Sequence, residues 1–203
     1  MKVPNNPFAV VPVGYNNSQF RDPTTAWKGA DGVWRLLVGA NSGDEGGIGT
    51  SLIYKSVDFQ TWAFNQTLHS VPGTGMWECP DFYPVPLSGM LGAETSSNGP
   101  TVKHVLKISS NNKRHDYYSV GTYVTDNDSF VPESVNLDAG IGLRYDYGKF
   151  YASKSFFDQN KNRRVLFGWV NESDSQETDI RKGWASIMVM HCFDIVFPVL
   201  LCK

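Results

Sequence analysis

Apolar residues in this chain occur in short continuous or alternating runs. Runs of this length suit β-strands better than helices, and no stretch of a dozen residues carries a helical stripe of apolar positions. The pattern therefore predicts an all-β fold. The predicted strands are Val33–Val38, Thr50–Lys55, Val102–Ile108, Tyr117–Val124, Phe150–Ser153, Val165–Val170 and Trp184–Met190.

Turn-forming residues separate these runs. Clear examples are Asp31-Gly32, Pro72-Gly73 and the polar stretch Gly89–Pro100. Two hairpins follow from this arrangement. One turns at Asp31-Gly32 and continues into the first predicted strand, and the other connects Leu52–Lys55 to Asp58–Trp62.

An acidic segment flanked by turn residues recurs three times, and each copy precedes a set of predicted strands. The copies contain Asp22, Glu78 and Asp146, about 56 and 68 residues apart. This spacing is longer than the roughly 40–50 residues of common propeller repeats, but it is compatible with blades that carry loops. We therefore predict three or four blades of a β-propeller, and the residues alone leave a β-sandwich open as an alternative.

The composition is that of a globular chain of 203 residues with one core. Hydrophobic residues make up 41% and charged residues 19%, and 19 Gly with 11 Pro interrupt the apolar runs. The formal net charge is −2, and the 18 Lys and Arg residues form no runs. Neither a nucleic acid nor a membrane surface is expected as a partner, because both attract clustered basic residues.

The cysteine and histidine spacing excludes two other classes. Three cysteines are too few for a disulfide framework, and no spacing of Cys or His indicates zinc. We therefore predict no metal and no cofactor. The printed chain contains no signal peptide and no run of about 18 apolar residues that could span a membrane. Four glycosylation sequons nevertheless suggest a secretory route, at Asn16, Asn65, Asn127 and Asn171.

Two carboxylates are the candidates for catalysis. Glu78 lies between Trp77 and Cys79-Pro80, and Asp22 follows Arg21 and precedes a proline. Two acids that flank a glycosidic bond are the outline of glycosidase chemistry, and aromatic residues can supply flat faces for sugar rings. The alternatives are a solvated glutamate in a turn at a strand edge and an ordinary surface ion pair.

Several segments, in order from about Asn6 to about Ile187, resemble the plant members of glycoside hydrolase family 32. These are the acid β-fructofuranosidases, namely cell-wall and vacuolar invertases and the related fructan exohydrolases. The resemblance implies a five-bladed β-propeller followed by a β-sandwich, and enzymes that are secreted to the cell wall or sorted to the vacuole. The segments are FRDPTTAW (Phe20–Trp27), SVDFQTW (Ser56–Trp62), MWECPDFYPV (Met76–Val85), HVLKIS (His104–Ser109), HDYYSVGTY (His115–Tyr123), YDYGKFYASKSFFD (Tyr145–Asp158) and GWVNES (Gly168–Ser173).

The resemblance also implies roles for individual residues. Glu78 corresponds to the acid/base of a retaining mechanism, and Asp22 to the residue that binds the fructosyl ring and stabilises the transition state. The predicted substrate-binding residues are Arg21, Asn111, Arg114 and Asp146. Sucrose-cleaving members commonly carry Asp and Lys where this chain has Asn111 and Arg114, and Pro80 is similar to cell-wall enzymes and exohydrolases. The first feature favours a fructan exohydrolase over an invertase, and the second favours a cell-wall-type enzyme or an exohydrolase over a vacuolar invertase.

The chain departs from the family pattern at both ends. It lacks the Trp-Met-Asn-Asp-Pro-Asn-Gly-type motif that carries the nucleophilic aspartate, and its last residues, MVMHCFDIVFPVLLCK, are unlike the family. We therefore expect residues 1–187 to be a partial propeller domain, residues 188–203 to be an atypical apolar tail, and the β-sandwich to be absent. The 203-residue chain should hydrolyse fructosides negligibly. A non-catalytic fructoside-binding or regulatory homologue is the alternative.

Overall fold

A computed structural model describes residues 6–43, 46–89, 91–172 and 174–193, with side chains as far as Met190. Nearly all of its regular structure is β. Two short 3₁₀ helices cover Asn17–Gln19 and Val135–Leu137, and one α-helix, α1, covers Gln176–Lys182. The strands are β1 (Phe20–Arg21), β2 (Trp27–Lys28), β3 (Trp34–Ser42), β4 (Ile48–Ser56), β5 (Ala63–Pro72), β6 (Trp77–Pro86), β7 (Val102–Ser110), β8 (His115–Val124), β9 (Ser129–Pro132), β10 (Leu143–Arg144), β11 (Phe150–Asp158), β12 (Arg163–Val170) and β13 (Ile187–Phe193).

The strands form three antiparallel sheets that follow one another along the chain. The first has the order β1-β3-β4-β5, with β2 also paired to β3. The second has the order β10-β8-β7-β6, with β9 paired to β8, and the third has the order β11-β12-β13. Each sheet therefore consists of strands that are close in sequence, which is the arrangement of propeller blades. The prediction of an all-β, blade-like fold is confirmed.

Six of the seven strands predicted from the apolar pattern coincide with strands of the structure. The seventh prediction was wrong at its start, because the strand begins at Ile187 instead of Trp184. The pattern missed β5, which has exposed residues at most of its positions, and it missed β6, which contains Pro80 and Pro84. Prolines normally argue against a strand because they cannot donate to the ladder, but Pro80 lies in a β-bulge.

Both predicted hairpins exist, but the prediction named the wrong partner strand for the second one. In the first, Trp27 pairs with Arg35 across the turn at Asp31-Gly32. In the second, Lys55 pairs with Ala63, so the segment from Asp58 to Trp62 is the turn. Asp58 stabilises that turn, because its carboxylate accepts hydrogen bonds from the backbone N–H groups of the second and third residues after it.

Neighbouring sheets pack face to face. The first and second sheets share a core that contains Trp27, Leu37, Trp77 and Leu106, and the second and third share one that contains Tyr83, Val105, Phe150 and Leu166. The first and second sheets approach each other so closely that only glycine fits at position 39. A Cβ added at Gly39 would lie 2.1 Å from the carbonyl oxygen of Trp77. This packing brings the first strands of successive sheets together.

The third sheet continues across the predicted domain boundary. Strand β13 runs from Ile187 to Phe193 and pairs with β12 along its whole length. The boundary between residues 187 and 188 therefore falls inside a strand and stays a prediction. Residues 194–203 of the predicted tail lie outside the described residues.

Candidate active site

Three polar side chains, one from the first strand of each sheet, meet at one place. Each lies at or next to an end of its strand. Arg21 ends β1, Glu78 is the second residue of β6, and Tyr151 is the second residue of β11. In each case the next residue has a left-handed backbone, with φ of 63° at Asp22, 43° at Cys79 and 53° at Ala152. Non-glycine residues adopt this conformation at a cost, and they concentrate at functional sites.

Two of these left-handed residues lie in β-bulges. The register of β6 shifts between Glu78 and Asp81, and the register of β11 shifts between Tyr151 and Lys154. Bulges turn a side chain away from the direction that regular alternation would give it. The same local device thus presents Glu78 and Tyr151 from neighbouring sheets.

Both carboxylate oxygens of Glu78 accept hydrogen bonds. The Nε of Arg21 donates to Oε1 at 3.1 Å, and the hydroxyl of Tyr151 donates to Oε2. The Nη1 of Arg114 lies 3.8 Å from Oε2. The Glu78 side chain is 17% exposed, so donors from the first and third sheets and an ion pair with the β7–β8 turn hold it while it remains accessible. The alternative of a solvated glutamate in a turn is therefore wrong.

The indole of Trp77 is not part of this environment. Alternation along β6 places Trp77 on the opposite side of the strand, where it is fully buried in the core. Its Nε1 donates to the Thr74 hydroxyl at 2.9 Å. The sequence neighbours of Glu78 therefore do not describe its surroundings, which come from residues 57 and 73 positions away.

Asp22 contacts the strand that carries Glu78. Its Oδ2 accepts a 3.0 Å hydrogen bond from the backbone N–H of Cys79 and lies 3.5 Å from the Cys79 sulfur. The interpretation of Arg21 and Asp22 as a surface ion pair is wrong, because Arg21 pairs with Glu78 instead. Burial raises the pKa of the Cys79 thiol, the charge of Lys107 opposes the shift and that of Asp22 supports it, and together they bring the pKa to about 11. The thiol is thus protonated at neutral pH and can donate to Asp22.

A buried lysine holds the bulges of the second and third sheets together. Lys107 is fully buried, and its Nζ donates to the carbonyl oxygens of Cys79 at 3.2 Å and Ser153 at 2.6 Å. Asp116 lies 3.3 Å from the same ammonium group and accepts from the backbone N–H groups of Ala152 and Ser153. Because buried charges are costly unless paired, this pair fixes both bulges.

A second lysine, Lys154 on β11, connects all three sheets. Its Nζ donates to the carbonyl oxygens of Pro23 at 3.0 Å and Pro80 at 2.6 Å. Burial lowers the pKa of this lysine, and the nearby charge of Asp81 opposes the shift. The residues after Asp22 and Glu78 are therefore tied to β11, which carries Tyr151.

Two cavities flank Glu78, and they separate the predicted substrate-binding residues. Asn111 and Arg21 line a cavity of about 280 Å³. Arg114 lines a larger groove of about 740 Å³ together with Tyr151. Asp146 lies in the loop before β11, where it is exposed and accepts a 2.6 Å hydrogen bond from the Gly148 N–H. The structure thus joins Arg21 and Arg114 directly to Glu78 and places Asn111 and Asp146 farther out.

Three carboxylates near α1 form the group best placed to hold a metal ion among the described residues. Glu172, Asp174 and Asp179 have oxygens within 4.8 Å of one another. Lys182 already lies among them, with its Nζ 2.8, 2.6 and 3.0 Å from their respective oxygens. The ammonium group supplies the positive charge that a cation would bring.

The four sequon asparagines are all exposed, as glycan attachment requires. Asn16 caps the first 3₁₀ helix, and Asn127 accepts from the Ser129 hydroxyl in the β8–β9 turn. Glycosylation at Asn16, Asn65, Asn127 and Asn171 stays a prediction. Within the described ranges, no helix is long and apolar enough to cross a membrane.

Sequence reasoning missed three residues of the site. Tyr151, Lys107 and Lys154 each lie in ordinary strand patterns, and their partners are in other sheets. One signal was present, because the third copy of the recurring acidic segment lies just before β11.

Consecutive antiparallel sheets, each built from strands that are neighbours in sequence, define the class of β-propeller proteins. The sequence profile of the glycosyl hydrolases family 32 N-terminal domain matches residues 1–191. The chain belongs to this family. The resemblance of the sequence motifs to family 32 is therefore confirmed.

Relatives with known names support the assignment. The chain is 51% identical to the vacuolar acid beta-fructofuranosidase 1 of a Rosa hybrid cultivar over 191 residues, which cover 94% of this chain and 32% of the relative. It is 49% identical to the fructan 6-exohydrolase of Beta vulgaris over 197 residues, which again cover 94% of this chain and 32% of the relative. The chain spans about a third of the length of these relatives.

Solved structures agree with the fold. The fructan 1-exohydrolase IIa of Cichorium intybus, in complex with 1-kestose, superposes with a TM-score of 0.88 at 47% identity. The match covers 94% of this chain and 35% of the chicory chain. The three sheets are thus consecutive blades of a partial propeller, as the recurring acidic segments predicted.

Proposed function

We propose that this chain supplies the acid/base and the transition-state stabiliser of a retaining β-fructofuranosidase that hydrolyses O-glycosyl bonds of sucrose or fructans. The observation that carries the proposal is the placement of Glu78. Arg21 and Tyr151 donate hydrogen bonds to its two oxygens, and Asp22 accepts a hydrogen bond from the backbone N–H of the next residue, Cys79. The names of the rose, beet and chicory relatives support the substrate class.

In this proposal Glu78 protonates the leaving glycosidic oxygen and later activates a water molecule. Asp22 hydrogen-bonds fructose hydroxyls more strongly as positive charge develops on the sugar ring, which lowers the barrier because the interaction is stronger in the transition state. Arg21 and Tyr151 keep the Glu78 carboxylate in one orientation. This preorganisation matters because small misplacements of a catalytic group are costly in rate.

The substrate is sucrose or a fructan. Asn111 lacks the charge of the aspartate that sucrose-cleaving relatives commonly carry, so it would hold a glucose unit less firmly. Its position in the cavity beside Arg21 supports contact with the sugar that leaves. We infer that fructans are preferred over sucrose.

The 203 residues by themselves should turn over little substrate. A retaining glycosidase needs a second carboxylate as nucleophile, about 5–5.5 Å from the acid/base, and the family's nucleophile motif does not occur in the sequence. The first test is therefore a pair of measurements on the purified chain, namely turnover of sucrose and inulin and calorimetric titration with the same sugars. Turnover within a hundredfold of an intact relative would contradict this part of the proposal.

A chimaera tests the site itself. Residues 6–187 replace the matching region of the rose enzyme, which is 51% identical, so that the rest of the propeller and the nucleophile come from the relative. The chimaera should hydrolyse sucrose or fructan, and Glu78→Gln should remove that activity. Glu177→Gln is the matched control, because Glu177 is exposed on α1. Binding by the chain without activity of the chimaera would favour a non-catalytic fructoside-binding protein.

The relatives' names also guide localisation. The matched rose and Arabidopsis thaliana proteins are named vacuolar, and the matched Daucus carota protein is named an insoluble isoenzyme. We infer a secretory route to the vacuole or cell wall for the protein that contains this sequence. Glycans at the four exposed sequons would accompany that route, and digestion with an endoglycosidase would shift the mass of the plant protein.

A further inference from the structure

The larger groove beside Glu78 has a composition that a neutral fructoside does not explain. Its volume of about 740 Å³ lies within the roughly 300–1,000 Å³ of small-molecule sites. Three cationic side chains line it, Lys113, Arg114 and Lys149, and none of the described residues that line it is a carboxylate. Arg114 pairs with Glu78 at 3.8 Å, but a neutral sugar would leave Lys113 and Lys149 without a charged partner among the described residues.

Lys149 is the cation with the fewest contacts. It is exposed, and its ammonium group makes no hydrogen bond or ion pair to the part of the chain that the structure describes. Arg114 is 66% exposed and only 3.8 Å from Glu78, and Lys113 donates to the Gly140 carbonyl at 3.0 Å. The nearby Asp146 carboxylate accepts from Gly148 and does not line the groove.

His115 adds an unused hydrogen-bonding atom. Its Nδ1 is buried without a hydrogen-bond partner among the described residues, although buried polar atoms are normally paired. Burial lowers the pKa of His115, and the charges of Arg144 and Lys149 lower it further, against Asp116 and Asp146. The neutral imidazole can therefore donate to or accept from a ligand hydroxyl.

Aromatic side chains form the other walls. Tyr151 and Trp169 meet at a ring-centroid distance of 6.5 Å. Tyr147 is 78% exposed, and the Arg144 guanidinium lies 5.6 Å from its ring centroid. The exposed ring of Tyr147 and the partly exposed ring of Trp169 can pack against apolar faces of a ligand.

We propose that this groove binds a saccharide that carries an anionic group, a phosphate monoester or a carboxylate. The anionic group lies against Lys149 and Arg114, and the sugar ring packs against Tyr147 and Trp169. Occupancy of the groove would place such a ligand next to Tyr151 and hence next to Glu78. The binding itself does not depend on fructoside cleavage.

Calorimetric titration of the full chain at low salt tests this with four probes, namely glucose 6-phosphate, glucuronate, glucose and inorganic phosphate. The two anionic sugars should bind at least about tenfold more tightly than glucose, and added salt should weaken them, because exposed charges are screened beyond roughly 10 Å at 0.1 M. Equal binding of glucose and glucose 6-phosphate would overturn the proposal. Equal binding of inorganic phosphate and glucose 6-phosphate would also overturn it, as an adventitious ion only.

Variants locate the site. Lys149→Gln should weaken glucose 6-phosphate at least threefold, while Lys161→Gln, at the opposite end of the β11–β12 hairpin, should leave it unchanged. Tyr147→Ala should weaken glucose 6-phosphate but not inorganic phosphate. All three side chains are exposed, so the fold should survive each change, which circular dichroism verifies. Equal loss in both lysine variants would contradict the site. None of the probes is a fructoside, so a chain that fails to cleave fructosides still gives a decisive result.

Discussion

The backbone N–H of Cys79 donates a 3.0 Å hydrogen bond to Asp22 Oδ2, across 57 positions of sequence. One peptide unit therefore joins the two candidate carboxylates, since Cys79 directly follows Glu78. Both Asp22 and Cys79 have positive φ, so each end of this hydrogen bond lies on a backbone that the surrounding structure must hold in place. The geometry of the site is thus a property of two sheets together.

Replacement of Asp22 should separate its structural role from its charge. Asp22→Asn keeps an acceptor for the Cys79 N–H, and asparagine tolerates a left-handed backbone, so we expect a loss below about 1 kcal/mol. Asp22→Ala removes the acceptor and strains the backbone, and should cost about 2–4 kcal/mol. Urea unfolding measures both. Equal stability of the two variants would show that the hydrogen bond to Cys79 does not matter.

Lys107 is expected to be essential for stability. Lys107→Met leaves Asp116 buried without its ammonium partner and removes the Lys107 hydrogen bonds to the carbonyl oxygens of Cys79 and Ser153. Removal of one partner of a buried ion pair costs about 3–5 kcal/mol. The control Lys161→Met, at an exposed turn, should change the unfolding free energy by less than about 0.5 kcal/mol. A comparable change in both variants would contradict the role of Lys107.

His104 should make the fold sensitive to acid. Burial and, to a smaller extent, the charge of Arg164 lower its pKa to about 4, against a backbone hydrogen bond with Ser97 that raises it. Because the folded-state pKa lies below the ordinary value of 6.5, the neutral form contributes stability above pH 6.5, and that stability is lost as the pH falls towards 4. The loss amounts to about 3 kcal/mol at pH 4.

The variant His104→Gln isolates this contribution. Its unfolding free energy should change less between pH 7 and pH 4 than that of the wild type, by about the same 3 kcal/mol, because other titrating groups are common to both proteins. Urea unfolding at a series of pH values gives the comparison. Parallel pH profiles would show that His104 does not couple to folding.

The sequence predicted three or four blades because most strands of each sheet are neighbours in sequence and carry clear apolar runs. It failed at β5 and β6 for physical reasons. Strand β5 exposes most of its side chains and so lacks a strong apolar pattern. Strand β6 carries prolines that are tolerated at a bulge, and the bulge depends on Lys107 and Asp22 from elsewhere in the chain.

In the site too, residues in local motifs could be predicted, and residues that depend on contacts between sheets could not. Glu78 and Asp22 were found because each lies in a short motif with a recognisable family pattern. Tyr151 and Lys154 were not, because their contacts to Glu78 and Pro80 arise only when the third sheet packs against the second. Trp77 precedes Glu78 in the sequence, but strand alternation sends its indole to the opposite side of β6.

The most direct test of the account is the leaving-group dependence of Glu78→Gln in the chimaera with the rose enzyme. A missing general acid slows substrates with poor leaving groups most, because good leaving groups need no proton. We predict a loss of kcat of at least about 100-fold with sucrose, but a much smaller loss in the fructosylation step with p-nitrophenyl β-fructofuranoside, measured by the burst of p-nitrophenol. Equal losses with both substrates, or no loss with sucrose, would contradict the assignment of Glu78 as the acid/base.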